Sequence, residues 1–280
     1  MKYADYIKQI EIDSLWSGRK HIHWQLDPHV KILSGINGVG KRTILYRVFQ
    51  SINTNGDLTN HLLKGVHITT DPEDATHIRY DMIRSLDSPI IQTQLEDSRI
   101  AEFLPQGAVE RASMLDVQLY RLQRKFLDYQ VNIGNRIIAA LQQGHADAAQ
   151  QLSQPKTRFQ DIVDELFEDT GKKVIRNENE IHFALATGET LPPYLLSSGE
   201  KQMLNILLTV LVEDAQPYVL FMDEPEVSLH IEWQKRLIDL ILELNPNVQI
   251  ILTTHSPAVI MNGWMENVTE VSDIEVKSEK

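Results

Sequence analysis

The stretch Gly35-Ile36-Asn37-Gly38-Val39-Gly40-Lys41-Arg42-Thr43 decides how this chain is read. Against the phosphate-binding pattern G-x-x-x-x-G-K-[ST], it fits at Gly35, Gly40 and Lys41 and departs at the last position. Arg42 stands where a small hydroxyl should ligate Mg²⁺, and Thr43 comes one residue late. Upstream, residues 30–33 are a short apolar strand that runs straight into Gly35. Downstream, Ile44, Leu45, Val48 and Phe49 fall on one helical stripe. Strand, glycine loop and helix are the setting a phosphate loop requires, because glycines let successive N–H groups curl inward and the helix dipole adds to them. Asn37, Gly38, Val39, Gly40, Lys41, Arg42 and Thr43 are therefore candidate nucleotide contacts. Arg42 leaves hydrolysis open.

Composition narrows the class. With 280 residues, the chain can bury a large core, as one α/β domain or as a domain with an insertion. Its 42% hydrophobic content excludes a disordered chain, and no apolar run approaches the roughly 20 residues of a membrane span. Zero cysteines exclude disulfides and thiolate metal sites. No apolar targeting segment follows Met1-Lys2-Tyr3-Ala4-Asp5, so a soluble, cytoplasmic chain is expected. The net charge of -12 repels a phosphate backbone, and Arg121, Arg124 and Lys125 read as a solvated helix face rather than a nucleic-acid patch.

Residues 6–33 read as strands, from the β-branched Ile7, Ile10 and Ile12 to the alternating His21-Ile22-His23-Trp24-Gln25-Leu26. Strand-like pieces recur at 66–70 and 77–84. Leu115, Leu119, Leu122, Phe126, Tyr129, Ile133, Ile137 and Leu141 then step by three and four, which predicts one long amphipathic helix. A short helix is expected over 146–152, ended by Pro155, and another over 159–168. Residues 95–155 thus look like a helical insertion between two halves of an α/β domain. Residues 173–175 and 180–183 read as a strand hairpin.

Two further stretches carry chemistry. Tyr218-Val219-Leu220-Phe221-Met222-Asp223-Glu224 is an apolar strand, buried on both faces of a parallel sheet, that ends in two carboxylates where such sheets bind ligands. There Asp223 would sit beside the phosphate loop, and Glu224 would take a proton from water. Solvated acids at a strand end are the bland alternative. Leu196-Ser197-Ser198-Gly199-Glu200-Lys201-Gln202 opens a helix whose N-terminus can present a hydroxyl and bare N–H groups to a phosphate, or Ser197 and Ser198 can simply cap it. Residues 248–252 form another apolar strand, followed by Thr253-Thr254-His255-Ser256.

Taken in this order, the motifs resemble the ABC-type ATPase superfamily, and most of all its soluble heads of the structural-maintenance-of-chromosomes and overcoming-lysogenization-defect kind. Glu224-Pro225-Glu226-Val227-Ser228-Leu229-His230 with Trp233-Gln234 is very like the second carboxylate motif of prokaryotic members found in anti-phage defence. The resemblance covers about 30–45 and 190–262. It implies an α/β head over 1–280 with a mixed, largely parallel phosphate-loop sheet, an N-terminal antiparallel β part and the helical insertion at 95–155. It implies ATP and Mg²⁺ as cofactors. Gly38, Gly40 and Lys41 would hold the β- and γ-phosphates, Asp223 would support Mg²⁺, Glu224 would activate water, and His255 would be the switch histidine. Ser197, Ser198, Gly199 and Glu200 would form a signature loop facing ATP on a second subunit, with Ser228 in the loop at that interface. Gln92 or Gln94 would reach the metal, and Trp16 or Trp24 would stack on adenine. The implied function is an ATPase that forms a homodimer or higher homo-oligomer through sandwiched ATP and acts on a nuclease or toxin effector. A non-hydrolysing scaffold, a DNA-repair head and, last, a transporter subunit are the alternatives.

Overall fold

Ile7 and Ile10 are both buried although three residues apart, which strict strand alternation forbids. The computed structural model, which describes residues 1–16, 20–52, 56–59, 63–84 and 113–276, resolves this with a register shift between Ile7 and Gln9. One extra residue there turns both isoleucines inward. The strand is β1 (Tyr6–Leu15), and it is followed by β2 (Lys20–Gln25) and β3 (Val30–Ser34). The phosphate-loop stretch leads into α1 (Lys41–Ser51), then β4 (Val66–Asp71) and β5 (Tyr80–Ile83). Helix α2 (Met114–Gln142) is the long amphipathic helix expected from its stripe, opened by a capping box between Ser113 and Asp116.

Helix α3 (Ala146–Leu166) corrects the reading of two helices broken at Pro155. Proline removes one backbone donor and leaves the carbonyl of Gln151 without its helical partner. Gln151 is exposed, so water can satisfy that carbonyl, while Phe159, Ile162, Val163 and Leu166 stay anchored in the core. The predicted hairpin is present as β6 (Lys172–Val174) and β7 (Phe183–Leu185), paired antiparallel, with its second strand starting at Phe183 rather than 180. A third strand, β8 (Thr190–Leu191), extends it. Then come α4 (Ser198–Val212), β9 (Tyr218–Asp223), α5 (Ile231–Leu244) and β10 (Val248–Thr253). The C-terminal part adds α6 (Pro257–Met261), β11 (Val268–Glu270), α7 (Val271–Ile274) and β12 (Glu275–Val276).

The central sheet runs β11-β3-β10-β9-β5, all parallel, and a second, antiparallel sheet runs β12-β2-β1-β4. The α/β class and the N-terminal antiparallel part expected from the sequence are both present. Side chains alternate across the central sheet. Ile32, Leu220, Met222, Ile250 and Leu252 face the core formed with α2, α3, α4 and α5. Leu33, Val219, Phe221 and Ile251 face the core shared with α1 and the antiparallel sheet. Gln249 joins the two sheets. Wholly buried in β10, it accepts from the Ile7 N–H at 2.8 Å, donates to the Ile7 carbonyl at 2.8 Å and donates to the Asp27 carbonyl at 2.7 Å. Among the described residues, no helix is long and apolar enough to cross a membrane.

Lys125 is not part of a free basic patch. Its Nζ lies 3.4 Å from Asp81 Oδ2 on β5 and 3.7 Å from Glu213 Oε1 just past α4. Burial, then the Asp81 charge, raises the Glu213 carboxyl to about 7, with Lys125 pulling the other way. A raised folded-state value means that the folded chain holds this proton more tightly than the unfolded one. Its contribution to stability is complete below the unfolded value of 4.5 and is lost as pH rises through about 7. Glu213→Gln is expected to remove that loss, adding about 2 kcal/mol at pH near 8 and nothing at pH near 4. Urea-unfolding midpoints at the two pH values check it. An equal change at both would refute the assignment.

Candidate functional site

Strands β3, β10 and β9 lie side by side in parallel, with Thr253 level with both Leu33 and Asp223. The loops leaving their C-terminal ends therefore emerge together. One carries the glycine stretch, one Asp223-Glu224 and one His255, at the sheet edge where open α/β folds bind ligands.

Gly35, Gly38 and Gly40 all have positive φ, the last at 107° as the N-cap of α1. Only glycine takes these angles without strain, and they let the loop fold over the helix N-terminus. Asn37 and Gly38 are exposed at its crest, while Val39 tucks against the core. Lys41 is buried, and its Nζ donates to the carbonyls of Gly35 at 2.7 Å and Ile36 at 3.3 Å. Burial pushes its ammonium down from the ordinary lysine value, against the pull of Glu224 and Asp223. Thr43 is exposed, one position past the place where a hydroxyl is wanted.

Arg42 reaches across to β9. Its Nε donates to Asp223 Oδ2 at 2.5 Å, and its Nη2 lies 3.9 Å from Glu224 Oε2. The other oxygen of Asp223 accepts from Thr253 Oγ1 at 2.8 Å. Asp223 is only 1% exposed, so both carboxylate oxygens are committed inside the protein. A divalent cation does not fit this arrangement. Among the described residues, no group of three His, Cys, Asp or Glu side chains is placed to hold a metal. Gln92 and Gln94 lie outside the described residues.

Glu224 has a φ of 47°, a left-handed conformation held by two bonds from its N–H, to the Thr253 carbonyl at 3.0 Å and to Thr253 Oγ1 at 3.2 Å. That conformation carries the Glu224 side chain out of the strand, where Oε1 lies 3.4 Å from His255 Nε2. Glu226, which sequence reasoning passed over, fixes this pair. Its buried Oε1 accepts from Thr254 Oγ1 at 2.5 Å and from the His255 N–H at 3.1 Å. Its position two residues beyond Glu224 was the available signal.

Ser197, Ser198, Gly199 and Glu200 start α4. Ser197 is its N-cap, and Glu200 closes the capping box by accepting from the Ser197 N–H at 2.9 Å. The other Glu200 oxygen accepts from Lys172 Nζ at 2.8 Å and Thr170 Oγ1 at 2.9 Å. Both oxygens are therefore occupied within the fold. Ser197 and Ser198 are exposed. A Cβ on Gly199 would lie 2.5 Å from the carbonyl oxygen of Ser228, so the first turn of α4 rests directly on the loop after β9. Of the two tryptophans, Trp24 is buried in the core. Trp16 lies over the phosphate loop, where a Cβ on Gly40 would meet its ring at 2.1 Å.

Fold and site together define the class, an α/β domain with a glycine loop and paired carboxylates at the C-terminal edge of a parallel sheet. The family model described as "AAA domain, putative AbiEii toxin, Type IV TA system" matches residues 86–262, more than half of the chain, and the chain belongs to that family. The match includes Ser197–Glu200, Asp223, Glu224 and His255 and begins after the phosphate loop. The chain is similar to the Retron Vc95 probable ATPase of Vibrio cholerae serotype O1 biovar El Tor, at 30% identity over 106 residues. That similarity spans 37% of this chain and only 20% of the relative's length. Similar solved structures include the SmcHead bound to the C-winged helix domain of ScpA, at 14% identity and a TM-score of 0.49 over 92% of this chain and 91% of that one. The SMC head domain from Thermotoga maritima is similar at 16% identity and a TM-score of 0.43, over 92% of each chain.

Proposed function

We propose that this chain is an ATP-binding ATPase subunit whose nucleotide state sets its assembly and so controls a protein effector, a nuclease or toxin, in anti-phage defence. The observation that carries the reading is the convergence of Lys41, Arg42, Asp223, Glu224 and His255 at three neighbouring strand ends. Asn37, Gly38, Val39, Gly40 and Lys41 bind the phosphates, and Glu224, oriented by His255, accepts the proton of the attacking water. Ser198 and Gly199 contact ATP held by a second copy, with Ser228 at the same interface. Helices α2 (Met114–Gln142) and α3 (Ala146–Leu166) form a helical insertion within a single α/β domain. The defence setting draws on the family description and the retron relative. The compartment is the cytoplasm.

The test is ATP binding, light-scattering mass and phosphate release by the purified chain. Binding should accompany a rise in mass to the dimer or above, with slow release that falls by about 10²-fold or more in Glu224→Gln. A chain that binds no nucleotide and keeps one mass overturns the proposal. Absent release that Arg42→Ser does not restore overturns its hydrolytic part alone. The Arg42–Asp223 pair favours a second reading, in which ATP is a structural ligand of a scaffold that sequesters the effector without turnover.

A further inference from the structure

We infer that Arg42 supplies the cation of the nucleotide site, so that the chain binds a nucleoside triphosphate without any divalent metal. The inference rests on the reading of residues 35–43 as the phosphate-binding loop. It starts from the substitution itself, a guanidinium in the place of the hydroxyl that would complete a metal site.

Two observations independent of the motif carry it further. First, the carboxylate meant for the metal is already neutralised. Asp223 is 1% exposed, with one oxygen 2.5 Å from Arg42 Nε and the other 2.8 Å from Thr253 Oγ1. A hydrated ion would have to displace a charged partner from a buried carboxylate and lose its own water there, an unfavourable exchange. Thr43, the hydroxyl next in sequence, is exposed. Second, the guanidinium is not consumed by that pairing. The Arg42 side chain remains 49% exposed, at the N-terminus of α1; among the described residues its Nε is bonded to Asp223 and its Nη2 lies a longer 3.9 Å from Glu224. Its remaining N–H donors lie in one plane and suit the paired oxygens of a phosphate.

The arginine thus spans the two partners a divalent ion would bridge, the Asp223 carboxylate on one side and the phosphate chain on the other. It carries one positive charge where the metal would carry two. Together with Lys41 it favours retention of the triphosphate and offers less stabilisation of charge developing during its cleavage.

Calorimetric titration of the full chain with ATP, in excess EDTA and in excess Mg²⁺, tests the inference. Affinities should agree within about threefold in the two buffers. A wild-type affinity in EDTA about tenfold or more below that in Mg²⁺ overturns the inference and leaves nucleotide binding standing. No binding in either buffer overturns the loop reading as well. Arg42→Ser, with thermal melting as a check on its fold, should bind about tenfold or more weakly in EDTA than in Mg²⁺. Metal-independent binding by a folded Arg42→Ser would also overturn the role given to the guanidinium. The wild-type comparison decides the matter even where that variant does not fold.

Discussion

Lys41→Ala is expected to weaken ATP binding by roughly a hundredfold or more, since removing one partner of a desolvated charge pair typically costs about 2–5 kcal/mol. Two losses combine. The ammonium would no longer meet the phosphates, and the carbonyls of Gly35 and Ile36 would lose the donor that holds the loop in shape. Lys41→Arg separates them. It keeps the charge, but its longer, planar head does not fit the buried space between those carbonyls, so it should recover only part of the affinity. Titration with a fluorescent ATP analogue reads both variants, and Lys64→Ala, an exposed position, serves as the control. Affinity in Lys41→Ala equal to wild type would remove residues 35–43 from the nucleotide site.

Phe221→Ala is expected to lower stability by about 3–5 kcal/mol, the usual cost of emptying a buried aromatic site. Phe221 has no exposed surface and meets Phe49 of α1 edge-on, with ring centroids 6.2 Å apart and planes at 81°. Strand β9 is hydrogen-bonded on both sides, to β10 and β5, so the backbone cannot move in to fill the void. Phe49 also stacks edge-on against Tyr80 of β5 at 5.4 Å, which ties α1 to a second strand. The cavity would therefore loosen the helix that carries Lys41 and Arg42 as well as the strand that ends at Asp223. Guanidinium unfolding measures the first effect, and ATP titration at low temperature measures the second. A stability loss under about 1 kcal/mol would show that this core repacks freely.

The stretches that meet at the strand ends were legible because their signals are local. A glycine run between an apolar strand and a helical stripe, or carboxylates at the end of 218–224, can be seen within ten residues or so. The parallel strands read easily because burial on both faces leaves uninterrupted Val, Ile, Leu and Phe. What escaped was set by contacts distant in sequence. Arg42 and Asp223 stand 181 residues apart, and nothing in either neighbourhood announces their pairing. Gln249 lies within an otherwise apolar strand, and its partner Ile7 is 242 residues away. Strands β11 and β12 have three and two residues, too short to show any period, and exist because neighbouring strands offer unpaired edges. Pro155 misled because a local breaking tendency was outweighed by the packing of Phe159, Ile162 and Val163.

Glu226 gives the site its mechanical character. One buried oxygen clasps both Thr254 and the backbone of His255, so the strand ends after β9 and β10 are clamped into one jaw. His255 is therefore tied to the stretch between Glu224 and Ser228, and Ser228 packs directly against Gly199. The strand ends that carry Glu224 and His255 and the N-terminus of α4 are thus joined through the loop after β9, held by Glu226 on one side and by Gly199 on the other.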